Sequence, residues 1–191
     1  MELKGKKVLI LADDLYEDLE LWYPRIRLTE AGALVKVAGI EKRTYNGKHG
    51  YPVEADDKIS AYDPKDFDCV VIPGGYAPDK LRRSKTVLNF VKRMHDDGKV
   101  VAAICHAAWV PISADIVKGR TMTCFFGIKD DLVNAGAKYV DQSVVCDDNI
   151  VSSRTPDDLP DFCRAIIALL AGKGECQTVT MGAMEASDVY I

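Results

Sequence analysis

Apolar positions along the chain fall into two alternating patterns. Short continuous apolar runs, as in strands buried on both faces, are separated by longer segments whose apolar residues recur every three or four positions, as along one side of a helix. Lys7 to Ala12 is the first strand, and a helix is expected from Glu17 to Ala31 on the spacing of Leu19, Trp22 and Ile26, with Pro24 a candidate kink. Leu34 to Ala38 is the second strand, and the pairs Asn46-Gly47 and His49-Gly50 punctuate a hairpin excursion ending near Val53. Cys69 to Ile72 is a core strand that runs into Pro73-Gly74-Gly75. Ser84 to Asp97 reads as a helix with Val87, Phe90, Val91 and Met94 on one face and Gly98 just beyond its end.

The apolar strand Val100 to Ile104 leads into Cys105-His106 and a helix carrying Pro111, and a short helix follows from Gly127 to Ala135. Ser143 to Cys146 and Ile150 to Ser152 flank the turn Asp147-Asp148-Asn149, and Thr155-Pro156 opens a last helix striped by Leu159, Phe162, Cys163, Ile166 and Leu170. This alternation argues for an α/β domain, a mostly parallel sheet covered by helices on both faces, over residues 1–171. The segment 172–191 has no helical period and stands as an extension of unassigned role.

Composition adds mainly exclusions. The 191 residues are 48% apolar and carry a net charge of −4 with Lys and Arg scattered, which provides no footprint for nucleic acid or an anionic membrane surface. No apolar run approaches the roughly 20 residues of a membrane helix, and the N-terminus lacks a secretory signal pattern, so a cytoplasmic protein is expected. Six cysteines lie 13 to 36 positions apart with no C-x-x-C pair, which disfavours structural zinc and a redox dithiol. Cys69, Cys146 and Cys163 sit in apolar patterns and read as small buried hydrophobes.

Cys105 differs, because it stands where a strand meets a helix. Such a turn aims backbone N–H groups and the positive helix end at the side chain on its apex, which favours a thiolate. Sites in open α/β sheets form beyond the carboxyl ends of the strands, so Asp13 to Asp18, Pro73 to Asp79, Cys105-His106 and Cys124 to Gly127 should share one rim. There Cys105 would be the nucleophile, and the N–H groups of Gly75 and His106 would form an oxyanion hole, with Gly74 and Gly75 allowing close backbone approach. The ring of His106 is expected to point away from the sulfur of its neighbour. Glu17, at a helix start, is a candidate protonated carboxyl beside the thiol, and Glu20, Asp13, Asp14 and Asp18 compete on the same criterion.

The runs Tyr16-Glu17-Asp18-Leu19-Glu20-Leu21, Pro73-Gly74-Gly75-Tyr76-Ala77-Pro78, Ala103-Ile104-Cys105-His106, Gly127-Ile128-Lys129-Asp130-Asp131 and Ser152-Ser153-Arg154 together resemble the ThiJ/PfpI family, in its intracellular-protease-like branch. The resemblance spans residues 6–171 and implies a flavodoxin-like three-layer sandwich of the class I glutamine amidotransferase-like superfamily. It places the family's nucleophile on Cys105, its protonated glutamate on Glu17, its histidine on His106, its oxyanion glycine on Gly75 and an intersubunit acid on Asp79. That branch has glutamate at the last position, and Ala107 replaces a glycine usual after Cys-His.

Family members are described as proteases, cofactor-independent glyoxalases that turn methylglyoxal into lactate, deglycases, chaperones and oxidative-stress sensors. The expectation is a cofactor-free stress-protection enzyme acting on small aldehydes or their protein and nucleotide adducts. A cysteine peptidase with a Cys105-His106-Asp79 triad and a non-catalytic redox sensor or chaperone are the alternatives. An intersubunit acid further implies a homo-oligomer, a dimer or hexamer.

Overall fold

The computed structural model describes residues 1–172. Its strands are β1 (Lys7–Leu11), β2 (Leu34–Gly39), β3 (Thr44–Asn46), β4 (Pro52–Glu54), β5 (Asp57–Lys58), β6 (Cys69–Ile72), β7 (Val100–Ile104), β8 (Thr121–Met122), β9 (Lys138–Tyr139), β10 (Val144–Asp147) and β11 (Ile150–Ser153). The α-helices are α1 (Asp18–Glu30), α2 (Ala77–Leu81), α3 (Lys85–Asp96), α4 (Trp109–Ser113), α5 (Lys129–Asn134) and α6 (Leu159–Leu170). Seven strands form one sheet in the order β10-β11-β7-β6-β1-β2-β5, parallel except for the β10–β11 hairpin. The chain builds outward from β1 in one direction through β2 and β5, and in the other through β6, β7 and β11. The β1–β6 junction is therefore the point where strand order reverses, the usual position of a binding crevice in such sheets.

Burial explains the apolar runs. β6 and β7 are buried at every position, because α1 and α6 pack together over one side of the sheet while α3 and α4 cover the other. The α3 helix presents Val87, Phe90, Val91 and Met94 to the core as its pattern requires, Ser84 Oγ accepts from the Val87 N–H, and Gly98 follows its end at φ +70°. Leu159, Phe162, Cys163, Ile166 and Leu170 are all buried on α6. This is the α/β sandwich that the alternation of runs implies, in the flavodoxin-like form that the resemblance implies.

The α1 helix forms where expected and continues through Pro24, but its inward face is not the one marked by Leu19, Trp22 and Ile26. Leu19 and Ile26 are exposed, and the buried positions are Asp18, Glu20, Leu21, Pro24 and Leu28. Two stripes of helical period coexist here, and packing against the sheet selects Leu21, Pro24 and Leu28. That choice carries Glu20 inward. Cys69, Cys124 and Cys163 are buried free thiols, pushed up by burial, the latter two to about 12. Cys146 is disulfide-bonded instead of a free buried thiol. No helix among the described residues is long and apolar enough to cross a membrane. Most of the 172–191 extension lies outside the described residues.

Candidate active site

Three strand ends build the site. The β1 strand runs into Asp13-Asp14-Leu15-Tyr16, β6 into Pro73-Gly74-Gly75, and β7 into Cys105. Backbone hydrogen bonds join the first two loops: Glu17 N–H donates to Gly74 O at 3.1 Å and Tyr76 N–H to Leu15 O at 2.8 Å. The β3–β4 hairpin closes over them, with Leu15 N–H on Asn46 O at 2.7 Å and Lys48 N–H on Tyr16 O at 2.8 Å. Asp18, at the start of α1, holds that hairpin by accepting from the His49 and Tyr51 N–H groups at 2.9 and 3.0 Å.

Cys105 sits at φ +62°, a left-handed backbone that side chains adopt only under constraint. The strand before it is regular, with Ile104 at φ −123°, so the chain turns sharply at the thiol and enters the short helical stretch Cys105–Ala108. The N–H groups of Gly75 and His106 both lie close enough to the Cys105 sulfur to lower the thiol against the effect of burial. They are the donors an oxyanion site needs, gathered at the position where a reacting atom would sit.

The carboxyl that meets the thiol is Glu20, which corrects the placement of that role on Glu17. Glu20 is fully buried, and its Oε2 accepts from Gly74 N–H at 2.7 Å. Its Oε1 makes no hydrogen bond, and the carboxyl lies beside Cys105, close enough for each group to act on the other. Burial pushes Glu20 up to about 8, and the charge of Glu17 acts in the same direction. Burial raises the Cys105 thiol as well, followed by the Glu20 charge. Two adjacent anions in this enclosure are costly, so the pair titrates together. When Glu20 holds its proton, the repulsion disappears, and its O–H joins the two N–H groups as a donor to a thiolate.

Glu17 lies in the same cavity but engages a different group. Its Oε2 is 2.6 Å from Lys48 Nζ, and its backbone caps the entry to α1 without a side-chain cap. The cavity, about 320 Å³, is lined by Glu17, Lys48, Gly75, Tyr76, Cys105, His106 and Phe125 together with Thr155 to Asp157. Phe125 brings the segment 124–127 to the rim, and the segment 155–157, just after β11, adds a strand end that the sequence did not mark.

The His106 ring does not point away from the sulfur as expected. Its Nδ1 lies 3.3 Å from Cys105 Sγ, and the ring is held between Phe125, stacked at 4.8 Å, and the edge of Trp109 at 5.2 Å. The left-handed backbone at Cys105 brings the two neighbouring side chains to one side. Burial, then the charge of Lys48, lowers His106 below its usual range, so the imidazole is neutral near pH 7. Asp79 is exposed on α2, 3.5 Å from Arg83, and does not line the cavity of its own chain. Asp13 and Asp14 face Arg43 instead of the thiol. Glu17, Asp18 and His49 bring potential ligand atoms within 4.8 Å of one another, but Lys48 and two backbone N–H groups already engage the carboxylates.

Both glycines of the β6 turn are required by close approach. A Cβ on Gly74 would lie 2.5 Å from Glu20 Oε2 and 2.7 Å from Cys105 Cβ. Gly75 has φ +74°, and a Cβ there would meet Leu15 O and Glu17 N, both backbone atoms, at 2.5 Å. Gly75→Ala is expected to destabilise the fold by at least about 2 kcal/mol, seen as a lowered urea midpoint. A midpoint equal to wild type would show that the turn yields freely.

A strained cysteine at the switch point of a parallel sheet, under two convergent N–H groups and beside a buried carboxyl, defines a flavodoxin-like protein with a nucleophile elbow. A profile of the DJ-1/PfpI family matches residues 6–169, and the chain belongs to that family. A deglycase of Pyrococcus horikoshii is 44% identical over 164 residues, 86% of this chain and 99% of that protein. The deglycase PfpI of Pyrococcus furiosus is 43% identical over the same length, with the same two shares. Among solved structures, a two-domain protein of Anabaena variabilis containing DJ-1/ThiJ/PfpI-like and ferritin-like domains has a TM-score of 0.86 at 40% identity, covering 91% of this chain and 51% of that one. DJ-1beta of Drosophila melanogaster has a TM-score of 0.83 at 29% identity, covering 87% and 91%.

Proposed function

We propose that the protein is a cofactor-independent enzyme acting on small reactive carbonyl compounds, aldehydes or their early adducts with amines, with Cys105 as nucleophile and Glu20 as the proton-transfer group. The observation that carries this reading is the Glu20 carboxyl set against the Cys105 thiol beneath the N–H groups of Gly75 and His106. Homologues named as deglycases support it.

For a 2-oxoaldehyde the Cys105 thiolate forms a bond to the aldehyde carbon, and the carbonyl π pair moves to oxygen, which takes the Glu20 proton to give a hemithioacetal. The Glu20 carboxylate then takes the proton from the former aldehyde carbon, the C–H electron pair moving toward the neighbouring carbonyl oxygen. That proton returns to the adjacent carbon, and the hydroxyl proton of the first carbon passes to the oxygen of the second. This yields the thioester of a 2-hydroxy acid, and water cleaves it to release the acid and the thiol. The sum is one substrate plus one water, with no net redox change. With an amine adduct, the same proton assists departure of the amine.

The approach of His106 Nδ1 to the sulfur favours a second reading, an intracellular cysteine peptidase in which His106 protonates the leaving amine. That reading needs an acid to orient the ring, and Asp79 would have to come from another subunit of a homo-oligomer. It also needs a histidine readily charged, whereas burial holds His106 neutral. The reading as a redox sensor uses the same thiol without turnover.

Steady lactate production from methylglyoxal by the wild type, abolished in Cys105→Ala and changed less than about threefold in Asp79→Ala, is the expected result. Peptide cleavage that collapses in Asp79→Ala would support the triad. Peroxide-dependent gain of mass at Cys105 with no turnover on any aldehyde or peptide would overturn the enzyme reading.

A further inference from the structure

We infer that Lys48 is a substrate-binding residue, and that the cavity selects carbonyl compounds bearing a carboxylate or other anionic oxygen close to the electrophilic carbon. The inference rests on Cys105 being the reacting atom of this cavity, and extends that reading to what the substrate carries beside its carbonyl.

Lys48 is brought to the thiol by a built support. It belongs to the β3–β4 hairpin, which Asp18 fastens through the His49 and Tyr51 N–H groups. Gly47, just before it, packs so tightly that a Cβ would lie 2.3 Å from Asp18 Oδ1. The Lys48 backbone N–H is itself bound to Tyr16 O at 2.8 Å, so the side chain leaves from a fixed point. Its ammonium is then aimed by Glu17, whose carboxylate is 2.6 Å away and almost fully buried. Glu17 thus has a positioning role, distinct from the acid role of Glu20.

Among the described residues lining the cavity, Lys48 is the one permanent cation, accompanied by the acids Glu17 and Asp157 and a neutral His106. Its charge acts on Cys105, Glu20 and His106, which places it within electrostatic reach of the reacting atoms. The hydrogen bond to Glu17, and then its charge, hold the ammonium protonated. An ammonium has three donors, and Glu17 accepts from one side, so donors remain for an oxygen entering from the cavity. The Lys48 side chain is 36% exposed and lines the same cavity as the thiol. An anionic substrate gains this contact, while a neutral one gains only the Gly75 and His106 donors. The competing account is that Lys48 merely neutralises Glu17, in which case the charge of an entering molecule would not matter.

Two alkylating agents of nearly equal shape separate these accounts. In both iodoacetate and iodoacetamide the Cys105 thiolate displaces iodide from a CH2 group, forming S–C as C–I breaks. The ratio of their rates therefore cancels the thiolate population and reports only the field felt by the carboxylate. The rates are followed by mass at Cys105, with Cys105→Ala as the blank. Lys48→Met is expected to lower the iodoacetate-to-iodoacetamide ratio by about fivefold or more, the size of one charge pair at a solvated site. Lys48→Arg should keep the ratio within about twofold of wild type, and Glu17→Gln should raise it by unmasking the ammonium.

Glyoxylate should in turn protect wild-type Cys105 from iodoacetamide better than propanal does, an advantage lost in Lys48→Met. An unchanged ratio in Lys48→Met, with iodoacetamide still modifying Cys105, overturns the inference. Loss of turnover on every carbonyl compound would instead overturn the proposed function, and the alkylation ratio is read without turnover.

Discussion

Glu20→Gln is expected to lower turnover of methylglyoxal by about 10² to 10⁴ while leaving Cys105 open to alkylation. The amide keeps the shape of the side chain, and its oxygen can still accept from Gly74 N–H, as Glu20 Oε2 does at 2.7 Å. That orientation leaves the NH2 group where Oε1 stands, which makes no hydrogen bond of its own, in the same buried enclosure as Cys105. A thiolate there is still stabilised by donors, and the opposing carboxylate charge is gone. At pH 8.5 iodoacetamide should therefore react at least as fast with the variant as with the wild type. What the amide cannot do is give a proton to the substrate oxygen and take one from carbon. Glu17→Gln should cost less turnover, because Glu17 pairs with Lys48. Equal turnover in Glu20→Gln and wild type would remove Glu20 from the chemistry.

The same substitution should change how stability depends on pH. Burial raises Glu20 in the fold from its usual 4.5 to about 8. Between these values the folded chain holds a proton that the unfolded chain releases, so stability declines as pH rises. The stabilisation is fully present below about 4.5 and is lost as pH passes 8. Relative to Glu20→Gln, the wild type should lose on the order of 4 kcal/mol between pH 5 and 8.5. Urea midpoints of the two proteins at both pH values measure this, with the wild type falling and the variant nearly level. Parallel behaviour would mean that Glu20 is ionised in the fold from pH 5 upward.

Much of the architecture was legible because burial on both faces leaves a mark on composition. The strands Cys69–Ile72 and Val100–Ile104 are uninterrupted apolar runs since helices cover both sides of the sheet. The α3 and α6 stripes were readable for the same reason, one polar side against one apolar side. The α1 helix broke this simplicity. It carries apolar residues on two faces, and Leu19 and Ile26 on the outer one obscured the inward set of Leu21, Pro24 and Leu28. Glu20 lies beside that inward set, and an acid aligned with a buried stripe was the available signal for the thiol partner.

The sequence alone determined the α/β class, the cysteine at a strand end and the glycine pair that must come close to it, because each is a local matter of period, turn chemistry and backbone freedom. Which carboxyl met the sulfur was decided only by the packing of α1, since Glu17 and Glu20 are one helical turn apart and a rotation of the helix would exchange them. The direction of the His106 ring followed from the left-handed backbone at Cys105, which no residue type announces. Lys48 reached the cavity through a hairpin fastened by Asp18, thirty positions away in sequence. Contacts of that range depend on the closed fold, because only there does the geometry that joins distant residues exist.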